Sequence, residues 1–257
     1  MKKILWILCL FPLTVGASVT FDAEFSVFSN FIWRGTTFTE NKPAVQGVLE
    51  ASEDHGFYLG TFVSNAEFSD EGFSGEGSVT QETDVTVGKR WTGANWELQA
   101  SYNQFYFPGA GVFDTDEYSF QAKFKRFVLE LSYMDDYFGY KGPYKYVRVG
   151  YEWIYKASVE GAFYVGWNGF ETAKGGLKSR CLDAACSEEA FTTSGSGNPD
   201  YIDIFQVNRK TIKNGTSFEL AFNWTNRREF SADSSGISLD RAQDFAVIGG
   251  VLIPVSL

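Results

Sequence analysis

The sequence predicts an all-β protein, an antiparallel transmembrane β-barrel of about 12 strands with long outer loops and short periplasmic turns. Three observations lead there. Runs of about ten residues alternate apolar and polar with a period of two. The connections alternate between long and short along the chain. Aromatic residues make up 18% of the chain, with 25 Phe, 13 Tyr and 7 Trp, more than a soluble core of this size needs.

The chain opens with a basic start, Met1-Lys2-Lys3. An apolar stretch, Ile4 to Leu13, and the small residues Val15-Gly16-Ala17 follow. This is the pattern of a secretory signal peptide, so residues 1–17 are set apart from the barrel domain, 18–257. Cys9 lies inside the apolar stretch, not after a cleavage box, so no lipoprotein anchor is expected.

Strands are expected near 19–34, 43–52, 57–68, 80–91, 95–106, 117–125, 127–135, 144–153, 157–169, 201–212, 216–226 and 244–256. The first shows the pattern well: Val19, Phe21, Ala23, Phe25 and Val27 alternate with Thr20, Asp22, Glu24 and Ser26. Connections 35–42, 69–79, 107–116, 136–143, 170–200 and 227–243 are long; those between them shrink to a few residues, as at Glu53-Asp54-His55-Gly56. An even number of strands with loops sorted in this way suits an outer-membrane barrel of a Gram-negative bacterium. Strands near ten residues match a tilted crossing of the hydrocarbon layer, and lipid allows no open sheet edge. Trp33, Trp91, Trp153, Tyr155, Trp167 and Trp224 fall near strand ends, as interfacial girdles require.

The alternation is imperfect. Phe105-Tyr106-Phe107, Tyr137-Phe138 and Phe163-Tyr164 place aromatics on both faces. The second-face aromatics Tyr106, Phe138 and Tyr164 are therefore expected to meet lipid or another subunit, an occluded interior being the other option. Closure comes either from the first and last strands or from assembly, and Pro254 near the end suits an edge.

Charge excludes one class of partner. With 32 acidic and 22 basic residues the net charge is -10, the wrong sign for a nucleic-acid footprint. In an exported chain, Cys181 and Cys186 suggest a small disulfide loop. No cofactor or metal is expected: no Gly-rich phosphate loop precedes a helix, and cysteines do not cluster. His55, the single His, sits on a short turn; Asp135-Asp136 begins an expected outer loop; Asp114-Thr115-Asp116-Glu117 lacks the spacing of a calcium loop. None carries a catalytic assignment.

One segment carries a motif. It runs Ser29-Asn30-Phe31-Ile32-Trp33-Arg34-Gly35, then Pro43-Ala44-Val45-Gln46-Gly47, then Gly56-Phe57-Tyr58-Leu59-Gly60 and Ser64-Asn65. It resembles the TorF-type porins of Gram-negative bacteria, also called the Gcw-chp family, closely over about fifty residues. The resemblance implies an outer-membrane barrel without an enzymatic reaction, and, from some relatives, a homo-oligomeric ring that encloses membrane lipid. The chain departs from the usual barrel ending, since Ile253-Pro254-Val255-Ser256-Leu257 lacks a terminal aromatic. Read from the residues, Gly35 permits a tight bend, Pro43 starts a strand, and Arg34 and Gln46 are interior polar residues, with Gln46 bonded to Arg34, Glu50 or a neighbouring strand.

The expected function is thus a non-enzymatic porin-like barrel, forming a homo-oligomeric, lipid-enclosing ring. The alternatives are a simple small-solute porin, a barrel enzyme acting on lipid or peptide, and a soluble periplasmic ligand-binding barrel.

Overall fold

The computed structural model describes residues 18–68, 79–138, 140–156, 158–170, 178–179, 201–226, 228–233, 236–241 and 245–255. Twelve long strands follow one another: β1 Val19–Phe28, β2 Ala44–Glu53, β3 Phe57–Phe68, β4 Val79–Thr92, β5 Trp96–Tyr106, β6 Thr115–Phe124, β7 Phe127–Tyr137, β8 Tyr140–Lys156, β9 Val159–Phe170, β10 Tyr201–Thr211, β11 Ser217–Thr225 and β12 Phe245–Val255. Each pairs antiparallel with its neighbours in sequence, and β12 pairs with β1, so the sheet closes on itself. A two-residue strand, Lys178–Ser179, adds to the start of β8, and Arg228–Asp233 and Gly236–Arg241 form a separate hairpin.

The seam, uncertain from sequence, is a regular ladder from Ala23↔Val255 to Phe28↔Gly250. Pairing of β12 with β11 stops at Leu252↔Ser217. Pro254 therefore has only β1 beside it, the half-edge setting in which a missing donor is tolerated. Closure removes the edges that hydrocarbon would penalise.

Alternation sorts the side chains onto two walls. The outer wall is apolar: Phe21, Phe25, Leu131, Val149, Leu220 and Val247 are all exposed. Trp91, Trp96 and Tyr155 are exposed at the short-turn end, Trp167 and Trp224 near the long-loop end, as two interfacial girdles would be. Trp33 does not join them; it packs inside.

Three boundaries differ from expectation. The first strand ends at Phe28; residues 29–39 leave the wall and turn inward, and 40–43 return along the exposed rim. The expected outer loop at 136–143 is nearly absent, because β7 runs to Tyr137 and β8 starts at Tyr140. Asp135 and Asp136 are thus strand residues, and the backbone carbonyl of Asp136 accepts a hydrogen bond from Thr115 Oγ1 at 2.7 Å. The segment 114–117 likewise belongs mostly to β6, beginning at Thr115. The expected signal peptide, residues 1–17, and the expected Cys181–Cys186 disulfide lie outside the described residues.

Candidate functional site

The site is built by the first long connection. Ile32–Trp33 and Thr36–Thr37 pair as a miniature hairpin, with Trp33 opposite Thr36. Its two central residues, Arg34 (φ 47°) and Gly35 (φ 78°), both have positive φ, as a type I′ turn demands. Gly is at home there; Arg is not, and holding an L side chain in this region costs about 1–2 kcal/mol. A Cβ on Gly35 would stand 3.0 Å from Thr225 Oγ1 and 3.1 Å from Asp203 Cβ, so the turn reaches the wall formed by β10 and β11.

Arg34 is where that strain is offset. Its side chain is only 6% exposed. Nη1 donates to Glu117 Oε2 at 2.5 Å; Nη2 donates to Glu130 Oε1 at 3.1 Å and to Ser132 Oγ at 2.8 Å. The guanidinium lies 4.1 Å from the ring centroid of Trp33 and 4.1 Å from that of Tyr146. Tyr201 donates its hydroxyl to the Arg34 carbonyl at 2.9 Å. A loop that leaves β1 and returns at β2 is thereby tied to β6, β7, β8 and β10, across the barrel. An arginine suits this role because its charge is permanent and its planar fork serves two carboxylates at once.

Aromatic rings fill the space around the hairpin. Phe38, Phe105, Phe107, Tyr137, Phe138 and Tyr144 are buried in one cluster, against which Phe31 and Trp33 pack. Trp33 is 5.5 Å from Phe138 and 5.9 Å from Phe105 between ring centroids, both edge-on. Beside them runs a buried polar chain: Tyr144 donates to Asn168 Oδ1 at 2.5 Å, Asn168 to Asp203 Oδ1 at 2.7 Å, and Tyr146 to Asp203 Oδ2 at 3.3 Å. At the rim a hydrogen bond to Glu67, with Glu40 nearby, raises the Lys42 ammonium above its ordinary pKa.

Towards the short-turn end the lumen opens into a polar cavity of about 320 Å³, lined among others by Glu50, Asp84, Thr86, Arg90, Asn103 and Gln121. Its charges are mostly paired. Arg90 grips Glu50 with two bonds of 2.5 and 2.6 Å, and Arg148 donates to Glu130 at 2.5 Å. Glu82 and Asp84 are different: Glu82 Oε2 and Asp84 Oδ1 are buried with no hydrogen-bond partner.

The residues singled out from sequence separate in space. Arg34 and Gly35 form the turn at the centre of the site. Pro43 precedes β2 on the exposed rim, its carbonyl accepting from Asn65 Nδ2 at 3.0 Å. Gln46 faces inward and bonds Ser64 Oγ on the neighbouring β3 at 3.4 Å, the third of the expected partners, while Glu50 bonds Arg90. Phe138 is buried in the aromatic cluster. Tyr164 faces the lumen, its hydroxyl donating to Glu152 Oε1 at 3.2 Å beneath Arg148. Tyr106 lies on the other face: it opposes Thr83 and shares the outer side of β5 with Tyr102 and Trp96, while Phe105 is the inward ring. Sequence reasoning missed Glu130, Glu82 and Asp84, and weighed Glu117 only as part of a calcium loop. Their signal was the alternation itself, since each occupies an inward position of its strand. Among the described residues no group of three or more His, Cys, Asp or Glu is placed to hold a metal ion.

A family model described as "Bacterial protein of unknown function (Gcw_chp)" matches residues 14–153, more than half of the chain. The chain belongs to the Gcw_chp family. In this Gcw_chp protein the match takes in the inward hairpin and the walls that hold Arg34 on β6, β7 and β8. No curated protein sequence matches it. Among solved structures, it is similar in fold to the NanC porin (9% identity, TM-score 0.49, covering 93% of this chain and 100% of that one). The KdgM porin is similar to the same degree (8%, 0.49, 93% and 100%). The COG4313 outer membrane channel from Pseudomonas putida F1 also matches (10%, 0.46, 95% and 97%).

Proposed function

We propose that this protein is a non-enzymatic outer-membrane porin that passes small solutes through a lumen narrowed by its own first loop. The observation that carries the reading is the Arg34 hairpin, drawn across a closed barrel and bonded to Glu117 and Glu130 on the far wall. A barrel with an apolar outer wall and a polar inner one has a membrane on one side and water on the other. A charged loop held across that water sets the width and the field of the passage. The inward aromatics cover one another and the hairpin, so trapped lipid is not needed to shield them.

The test is to insert the purified protein into planar lipid bilayers. Stepwise conductance is the expected result, together with heat-modifiable mobility on gels and recovery in the outer-membrane fraction. A folded barrel that shows no conductance, or a chain recovered as soluble periplasmic protein, overturns the reading.

A homo-oligomer is supported by a separate observation. On β10 the face shared by Ile202 and Ile204 continues with Gln206 and Asn208, and Gln206 stands between Phe163 and Phe222 on the outer wall. An amide turned to hydrocarbon lacks partners, at a cost of several kcal/mol, and a second copy of the chain can supply them. Native mass spectrometry should then show an oligomer that Gln206→Leu with Asn208→Leu weakens; a monomeric wild type sinks this part of the proposal.

A further inference from the structure

We propose that the pore prefers cations to anions, and that Glu82 and Asp84 set this preference. The inference rests on the porin reading above and names the class of solute.

The geometry starts from the strand period. Glu82 and Asp84 are two residues apart on β4, so both point to the lumen, roughly 7 Å apart along the strand. Glu82 is 2% exposed, yet its Oε2 has no hydrogen-bond partner; neither has Asp84 Oδ1, in a residue that lines the polar cavity. No Lys or Arg among the described residues stands within ion-pair distance of either.

The bases of the lumen are already committed. Arg90 is paired with Glu50, Arg148 with Glu130, Arg209 with Glu219 and Lys123 with Glu152, while Arg34 serves Glu117 and Glu130. The inner wall therefore carries more acids than bases, and Glu82 and Asp84 are two of the acids left without a base. Low-dielectric walls focus such a field along the passage and concentrate counter-ions in it.

The neighbours of Asp84 fit a cation too. It stands opposite Phe62 on β3 and Phe105 on β5, and ring faces attract positive charge. The molecule already holds one cation in such a setting, the Arg34 guanidinium between two carboxylates and two rings. Two carboxylates fall well short of the roughly six to eight oxygens that trap a calcium ion. Asp84 on the cavity wall therefore gives an entering cation a weak site that it can leave again, as conduction requires, with Glu82 buried one strand period away.

The experiment is a reversal-potential measurement on the whole mature protein in a bilayer under a potassium chloride gradient. The wild type should show potassium passing several-fold more readily than chloride. The double variant E82Q/D84N, close in shape and lacking both charges, should lose most of that ratio while its conductance steps persist. Asp54→Asn, on the exposed short turn after β2, should leave the ratio unchanged. Chloride preference or no preference in the wild type overturns the inference, as does an unchanged ratio in the double variant. Should the double variant fail to fold, by heat-modifiability, the wild-type ratio and the single variants decide. Absence of any conductance from a folded wild type instead defeats the porin reading on which this inference stands.

Discussion

Arg34 Nη1 and Glu117 Oε2 lie 2.5 Å apart although 83 residues separate them in sequence. The pair joins a loop turn to the opposite side of the barrel, and both side chains are almost fully buried. Breaking a buried pair by deleting one partner costs about 3–5 kcal/mol, because the other charge is left unpaired. Replacing Arg34 with Met should therefore release the hairpin while the twelve-strand ladder persists. The expected outcome is a larger conductance step and faster proteolysis within residues 29–43, with heat-modifiability retained. An unchanged step would show that the hairpin does not narrow the passage.

Gly35 is tested separately, since it acts through backbone and space and not through charge. Ala at this position meets a positive φ of 78° and contacts at 3.0–3.1 Å. The cost should be about 1–2 kcal/mol, read as a lower urea midpoint for unfolding from detergent. Ala at Gly47, which has open space around it, is the matched control and should shift the midpoint little.

The two walls predict opposite tolerance to charge. Leu131 is 41% exposed at the centre of β7. Arg there should destabilise insertion into vesicles by about 2–4 kcal/mol, as expected for a cation at the bilayer midplane. Arg in place of Gln121, which lines the polar cavity on the neighbouring β6, should insert almost normally and alter conductance instead. Equal penalties at both positions would contradict the assignment of the walls.

Phe138 and Tyr106 separate the loop from the outer wall. Phe138 packs edge-on against Trp33, Phe105 and Phe107, so Ser at this site should loosen the inward loop and raise conductance without changing assembly size. Tyr106 faces outward, and Ser there should leave conductance alone and change copurified phospholipid or subunit number. Native mass spectrometry and bilayer recording on the same preparations check both halves. The reverse pattern would return Phe138 to a subunit or lipid contact.

All twelve strands could be read from the chain, along with the sorting of their connections except at 136–143, because each depends on neighbours two residues apart or on local turn chemistry. The alternation from Val19 to Val27 assigns wall and lumen without knowledge of any partner strand. Phe28 was harder. Nothing local ends the alternation there, and the run through Phe31 and Trp33 continues to look like a strand until the folded barrel offers it an interior to enter. The motif around Trp33-Arg34-Gly35 was visible as a tight bend near an interior arginine, but the carboxylates that hold that arginine were not assigned to it. Glu117, Glu130 and Ser132 become neighbours of Arg34 only when β6 and β7 curve round to face the loop. Tyr106 and Phe105 show the same limit in miniature: a run of three aromatics reveals that both walls receive rings, and only the register with Thr83 and Asp84 decides which ring goes inside. The sequence by itself determined the strand count, the two walls and the surplus of acid. Tertiary structure alone decided that the first loop folds inward, that β1 and β12 close the seam, and which inward carboxylates have no base beside them. Those outcomes depend on contacts between residues far apart in the chain, and local periodicity carries no record of them.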